Sequence, residues 1–246
     1  MNIMKLSELE MKWGRFAYRT QGTSGIPIIF LHGTGCDCED WEKIMPLLPH
    51  GQYMIFPEFR GHGNSQVPKE NFTIGNLAED LIHLTEHLKL NQFYLLGHSL
   101  GGMVSLEVAR RCNMARGLIL LEGWTRLSVC GNAFDKNHMF GYMPVSVSDE
   151  IRRKSKSIIN SFQADAWKYF WESVKNFDAF DFLQNSNIPI LEIYGMCGYK
   201  GSRNLLQVPE RKNISLEFIS GVGHYPAHEK PDETVKLIWD WLKENK

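Results

Sequence analysis

Residues 92–102 read Gln92-Phe93-Tyr94-Leu95-Leu96-Gly97-His98-Ser99-Leu100-Gly101-Gly102. The apolar run through Leu96 has the continuous hydrophobicity of a strand covered on both faces. A helical segment through Cys112 follows it. Between the two stands Gly-x-Ser-x-Gly, at the strand-to-helix turn where a serine hydroxyl projects above a sheet. The flanking glycines let the backbone turn sharply, and Ser99 is the nucleophile this context predicts.

Further buried-strand candidates lie at 26–31, 53–56, 118–121, 189–194 and 214–219, and an antiparallel hairpin is expected around 11–18. Leu77, Leu81, Leu84 and Leu88 recur at helical spacing behind Thr73, a suitable N-cap; Val235, Ile238, Trp239 and Leu242 mark a last amphipathic helix. Strands alternating with helices predict an α/β fold with a parallel sheet. The chain has 246 residues, enough for one such domain plus an insertion. The stretch 124–187 is that insertion: 64 residues between two strands, far beyond an ordinary connection, with twelve aromatics that need an apolar partner. It is expected to be a helical cap over a core formed by 1–123 and 188–246.

Composition narrows the function. Lys plus Arg is 27 and Asp plus Glu is 28, so no global basic field recruits nucleic acid. No apolar stretch approaches the roughly 18 residues of a membrane span. The start lacks the basic and apolar regions of a signal peptide, so a cytoplasmic protein is expected. Five cysteines do not indicate a disulfide framework. The phosphate-loop and dinucleotide glycine patterns are missing, and Cys36-x-Cys38 has no partner pair at zinc spacing, so neither cofactor nor metal is expected. His83 and His87 read as helix decoration, and Arg152-Arg153-Lys154-x-Lys156 as a solvated helix face.

Two more motifs carry chemistry. His32-Gly33-Thr34-Gly35 follows the strand at 26–31. An attacked carbonyl needs two backbone N–H donors, one after the nucleophile and one from this early loop, and Leu100 and Thr34 occupy those places. Gly221-Val222-Gly223-His224 follows the last strand. A serine hydroxyl needs a base to accept its proton, and a histidine on this loop reaches the same end of the sheet. Of nine histidines, His224 has the position for that role.

Together with Trp41, Arg60-Gly61-His62-Gly63-Asn64-Ser65 and Glu229-Lys230-Pro231, these motifs resemble the α/β-hydrolase superfamily in family order over nearly the whole chain. The resemblance implies an eight-stranded, mostly parallel sheet, a helical cap after the sixth strand and a Ser–acid–His triad. The sequence departs from the family at the acid. Most relatives carry Asp after the seventh strand, where this chain has Gly195-Met196-Cys197-Gly198. A less common arrangement places the acid after the sixth strand, and Glu122 stands there; Glu58 is the second candidate. The implied activity is a cofactor-independent serine hydrolase acting on a carboxylic ester, thioester or related acyl compound, a small apolar molecule. The same fold also hosts carbon–carbon hydrolases, lyases, cofactor-free peroxidases and ligand receptors of weak turnover.

Overall fold

The computed structural model describes residues 4–245. The chain opens on an antiparallel pair, β1 (Lys5–Met11) and β2 (Gly14–Gln21). Six more strands follow: β3 (Ser24–Leu31), β4 (Gln52–Pro57), β5 (Phe93–His98), β6 (Ala115–Leu121), β7 (Ile190–Gly195) and β8 (Ile214–Ile219). All eight form one sheet in the order β1-β2-β4-β3-β5-β6-β7-β8. The β2–β4 pair is antiparallel, and every pair from β4 to β8 is parallel. This is the mostly parallel, eight-stranded sheet that the family resemblance implied.

The helices are α1 (Ile74–His87), α2 (Leu100–Arg111), α3 (Ser128–Ala133), α4 (Val145–Ser161), α5 (Ala164–Lys175), α6 (Phe180–Asn185), α7 (Arg203–Leu206), α8 (Pro226–Glu229) and α9 (Pro231–Glu244). Strand side chains alternate between two helical layers, as the two-residue period requires. Ile29, Leu31 and Leu95 pack with Leu77, Leu81 and Leu84 of α1 and Val104 of α2. Ile28, Phe30 and Leu96 face the other way, against Ile238 and Trp241 of α9. Trp241 fills that core, whereas Trp239, read from sequence as a core position, is only half-buried. Full burial of one such side chain is worth about 1.5–3 kcal/mol, so both layers are held chiefly by apolar contact. Thr73 caps α1 through a reciprocal pair of bonds with Asn76.

Residues 124–187 carry α3 to α6 between β6 and β7. Their aromatics join the α1/α2 layer: Phe170 stacks on Phe72 with centroids 4.8 Å apart, and Phe162 packs beside them. Among the described residues, no helix is long and apolar enough to cross a membrane. All five cysteines are free.

Candidate active site

Ser99 sits one residue past β5 with φ 52° and ψ −116°, a conformation that side-chain-bearing residues rarely adopt. The turn is possible because the backbone closes on its glycines. A Cβ on Gly97 would lie 2.2 Å from the Gly101 carbonyl oxygen, and one on Gly101 would lie 2.0 Å from that of Leu31. The strained residue is held by its own N–H, which donates to the Leu121 carbonyl at 2.9 Å.

Glu122 repeats this arrangement one strand over. It overshoots β6 with φ 53°, and its N–H donates to the Ile193 carbonyl on β7 at 3.0 Å. The side chain is completely buried. One carboxylate oxygen, Oε1, accepts the Gly195 N–H at 2.7 Å. The other, Oε2, faces His224 Nδ1 at 3.4 Å and His138 Nε2 at 2.7 Å. Burial by itself would raise this carboxyl, but the hydrogen bonds and charge of the two histidines outweigh it and hold Glu122 below the ordinary carboxylate range.

His224 lies on the loop between β8 and α8, stacked on Trp124 with ring centroids 4.7 Å apart. Its carbonyl accepts the Nε2–H of His98 at 2.7 Å, and its N–H donates to the His138 carbonyl at 2.9 Å. Ser99 and His224 line one cavity of about 560 Å³, and no hydrogen bond joins them among the described residues. Thr34 lines the same cavity, with Trp124, Ile151 and Trp171 on its apolar wall. Leu100 is the first residue of α2, so its N–H has no partner within the helix. In the loop after β3 the Gly35 N–H donates to His62 Nε2 at 3.1 Å, while that of Thr34 is unclaimed among the described residues.

Residues 26–128 match the family model of the alpha/beta hydrolase fold. A Haemophilus influenzae protein named as an esterase/lipase is 24% identical over 93% of this chain and 87% of its own length. The human serine hydrolase-like protein is 33% identical over 40% of this chain, and the match spans about half (51%) of that protein. A crystal structure of the N-acyl homoserine lactonase AidH superposes with a TM-score of 0.79 at 19% identity, covering 99% of this chain and 98% of the other.

The chain has the α/β-hydrolase fold.

Within this fold the two carboxylates weighed from sequence have different surroundings. Glu58 is buried in the loop after β4, where its Oε2 accepts the Asn64 N–H at 2.7 Å and its Oε1 pairs with Arg19 at 3.0 Å. It braces the 58–64 loop, and no bond connects it to His224. The turn after β7 holds no carboxylate; its Gly195 N–H instead donates to Glu122. His83 and His87 are exposed on α1. The basic run on α4 departs from the expected solvated face: Arg152 and Lys156 line the cavity of Ser99 and His224, and Lys154 turns to the core. Lys154 Nζ reaches Asp37 Oδ1 at 2.5 Å and Asp40 Oδ2 at 2.8 Å, tying α4 to the loop after β3.

The residue that sequence reasoning missed is His138. It lies in the irregular stretch between α3 and α4, 2% exposed, with Nδ1 2.7 Å from the Cys197 carbonyl and Nε2 on Glu122. No spacing motif marks it; the signal was indirect, a missing acid whose place beside β7 something had to fill. Donor atoms of Glu122, His138 and His224 fall within 4.8 Å of one another. Two ligands of one zinc ion at about 2.0 Å stand roughly 3.3 Å apart. The 2.7 Å separation of Glu122 and His138 is that of a charge-assisted hydrogen bond, and each donor atom of the trio is already engaged.

Proposed function

We propose that this α/β hydrolase is a serine hydrolase of carboxylic esters, thioesters or related acyl compounds, acting as a carboxylesterase through an acyl-enzyme. The observation that carries this reading is the convergence of a serine on a strained turn and a histidine at one cavity, with a buried carboxylate 3.4 Å behind that histidine. Ser99 Oγ attacks the carbonyl carbon while His224 Nε2 takes its proton. The N–H groups of Thr34 and Leu100 hold the oxyanion, and a donor of this kind is worth about 3 kcal/mol. Collapse of the tetrahedral intermediate breaks the bond to the alcohol or thiol, which leaves with the proton from His224. Water then gives a proton to His224 and attacks the acyl-enzyme, releasing the acid and restoring Ser99. Glu122 keeps the Nδ1 proton of His224 in place and balances the imidazolium.

Residues 124–187 act in this reading as a cap over the core of 1–123 and 188–246. Their apolar side chains, Ile151 and Trp171 with Trp124, suit an acyl chain. The lactonase among the similar folds is consistent with the reading, since a lactone is a cyclic ester. The deciding experiment is labelling with a fluorophosphonate, read by intact mass. One adduct on the wild type and none on folded Ser99→Ala is expected. Equal labelling of the two proteins, or none of the wild type, would overturn the proposal.

A further inference from the structure

The histidines of the site divide by what their ring nitrogens face. His32 donates Nδ1–H to the Gly33 carbonyl at 2.8 Å and accepts the Phe59 N–H at Nε2 at 3.0 Å. His62 donates Nδ1–H to the Arg60 carbonyl at 2.9 Å and accepts the Gly35 N–H at Nε2. One donor and one acceptor on each ring fix a neutral imidazole in a single tautomer. Burial agrees with that assignment, lowering both rings and bringing His62 down to about 3.

His138 faces acceptors on both sides: the Cys197 carbonyl at Nδ1 and the Glu122 carboxylate at Nε2, each at 2.7 Å. A neutral ring would turn a lone pair toward one of two oxygens. An imidazolium satisfies both. The ring is also stacked on Phe134 with centroids 3.7 Å apart, a face that favours a cation.

We propose that His138 is a positioning residue of this site: as an imidazolium it shares the Glu122 carboxylate with His224, so that its positive charge opposes the placing of a second proton on the His224 ring. The inference rests on the reading of Ser99, His224 and Glu122 given above. With His138 charged, the buried group of Glu122 and two histidines is neutral while His224 is unprotonated. Protonating His224 then places two cations on one carboxylate, with ring centroids 6.1 Å apart. Burial opposes the charge on His138, but the hydrogen bond and charge of Glu122 prevail and raise the ring above its ordinary range.

The other ionisable groups around the trio do not reverse this balance. From α8, Glu229 adds negative charge toward His138 while accepting the Gly223 N–H at 3.0 Å. Cys197 after β7 and Cys130 on α3 are raised by burial and remain thiols. On β7, burial pushes Glu192 up to about 7 and keeps Tyr194 a phenol. On β5, burial and then the proximity of His224 bring His98 down to about 3, which keeps it neutral. Asp135, the residue after Phe134, accepts the Asn137 N–H at 2.7 Å.

The test compares wild type with His138→Gln, whose amide still donates to Glu122 but carries no charge. Two readouts are taken: the pH profile of kcat/KM on p-nitrophenyl acetate, and the titration of the His224 ring by NMR of protein with 15N-labelled histidine. Both the acidic limb and the His224 titration should move up by about one pH unit in the variant. In the wild type at pH 7, both His138 ring nitrogens should resonate as protonated. The NMR arm is repeated in Ser99→Ala, where it needs no turnover; a failed hydrolase reading thus shows as absent turnover with the His224 shift intact. Superimposable His224 titrations, or an unprotonated His138 nitrogen in the wild type at pH 7, would overturn the proposal. If His138→Gln does not fold, the wild-type spectrum decides alone.

Discussion

The Ser99 N–H donates to the Leu121 carbonyl at 2.9 Å, so the proposed nucleophile is pinned to the residue that precedes Glu122. Ser99 and Glu122 leave adjacent parallel strands one residue past their ends, both at positive φ. The sheet thus fixes the separation of hydroxyl and carboxylate through backbone bonds, before any side chain of the cavity contributes. Ligand sites in open α/β sheets gather at these carboxyl ends.

Replacing Glu122 by Gln tests whether this carboxylate, and not Glu58, serves His224. An amide cannot balance an imidazolium and can select the wrong tautomer, so turnover should fall about 10³–10⁴-fold with the fold retained. Glu58→Gln, which touches Arg19 and Asn64, should lower the melting temperature and leave kcat within a few-fold of wild type. Steady-state kinetics and thermal melts on the two variants separate the roles. Near-wild-type turnover in Glu122→Gln would remove it from the site.

Lys154→Met probes the tie between α4 and the loop after β3. Asp40 is a buried carboxylate whose two oxygens serve His228, at 3.2 Å, and Lys154. Burial opposes its charge, while His228 and Lys154 favour it and hold Asp40 well below the ordinary range. Removing the ammonium leaves Asp37 and Asp40 without that cation. About 1–3 kcal/mol of stability should be lost, less than for a fully dry pair because Lys154 keeps some solvent contact. Amide hydrogen exchange in α4 should rise more than in α9; equal protection of α4 in both proteins would contradict this.

Glu192 predicts a pH dependence of stability. Both carboxyl oxygens are buried without a hydrogen-bond partner, and burial pushes the group from 4.5 up to about 7. Below about pH 4.5 folded and unfolded chains both hold the proton, so the group has no effect. Between 4.5 and 7 the unfolded chain releases a proton that the folded chain keeps, and stability falls as pH rises. Above 7 the loss is complete, on the order of 3 kcal/mol. Glu192→Gln should therefore match the wild type in urea melts at pH 4.5 and exceed it increasingly up to pH 8. Parallel stabilities across that range would contradict the assignment.

The central strands β3 to β6 were legible because burial on both faces writes them as apolar runs, β8 proves to be an alternating edge strand, and each of these expected strands lies within three residues of the one observed. Ser99 and His224 were legible because strand-to-helix turns leave glycine signatures. Glu122 was reached through a missing residue, the absent acid after β7. His138 was not reached at all. It occupies neither a helix nor a strand, and its importance lies in two acceptors supplied by residues 16 and 59 positions away. Lys154 failed for a similar reason, since its partners Asp37 and Asp40 are distant in sequence and the helix spacing around it is that of a solvated face.

The loop after β3 distributes its amides sparingly. Gly35 gives its N–H to His62, Cys36 gives its own to the Gly33 carbonyl at 3.2 Å, and Asp37 gives its own to Asp40. From Thr34 to Asp37, Thr34 is the residue whose amide is unclaimed among the described residues, and Leu100 offers a second at the start of α2. On the proposed reading, the pair can serve one developing negative oxygen. A transferring phosphoryl group spreads its charge over three oxygens, more than this pair of amides serves. The spending of amides within the loop is thus a filter on reaction class, exercised before any substrate side group meets the wall of the cavity.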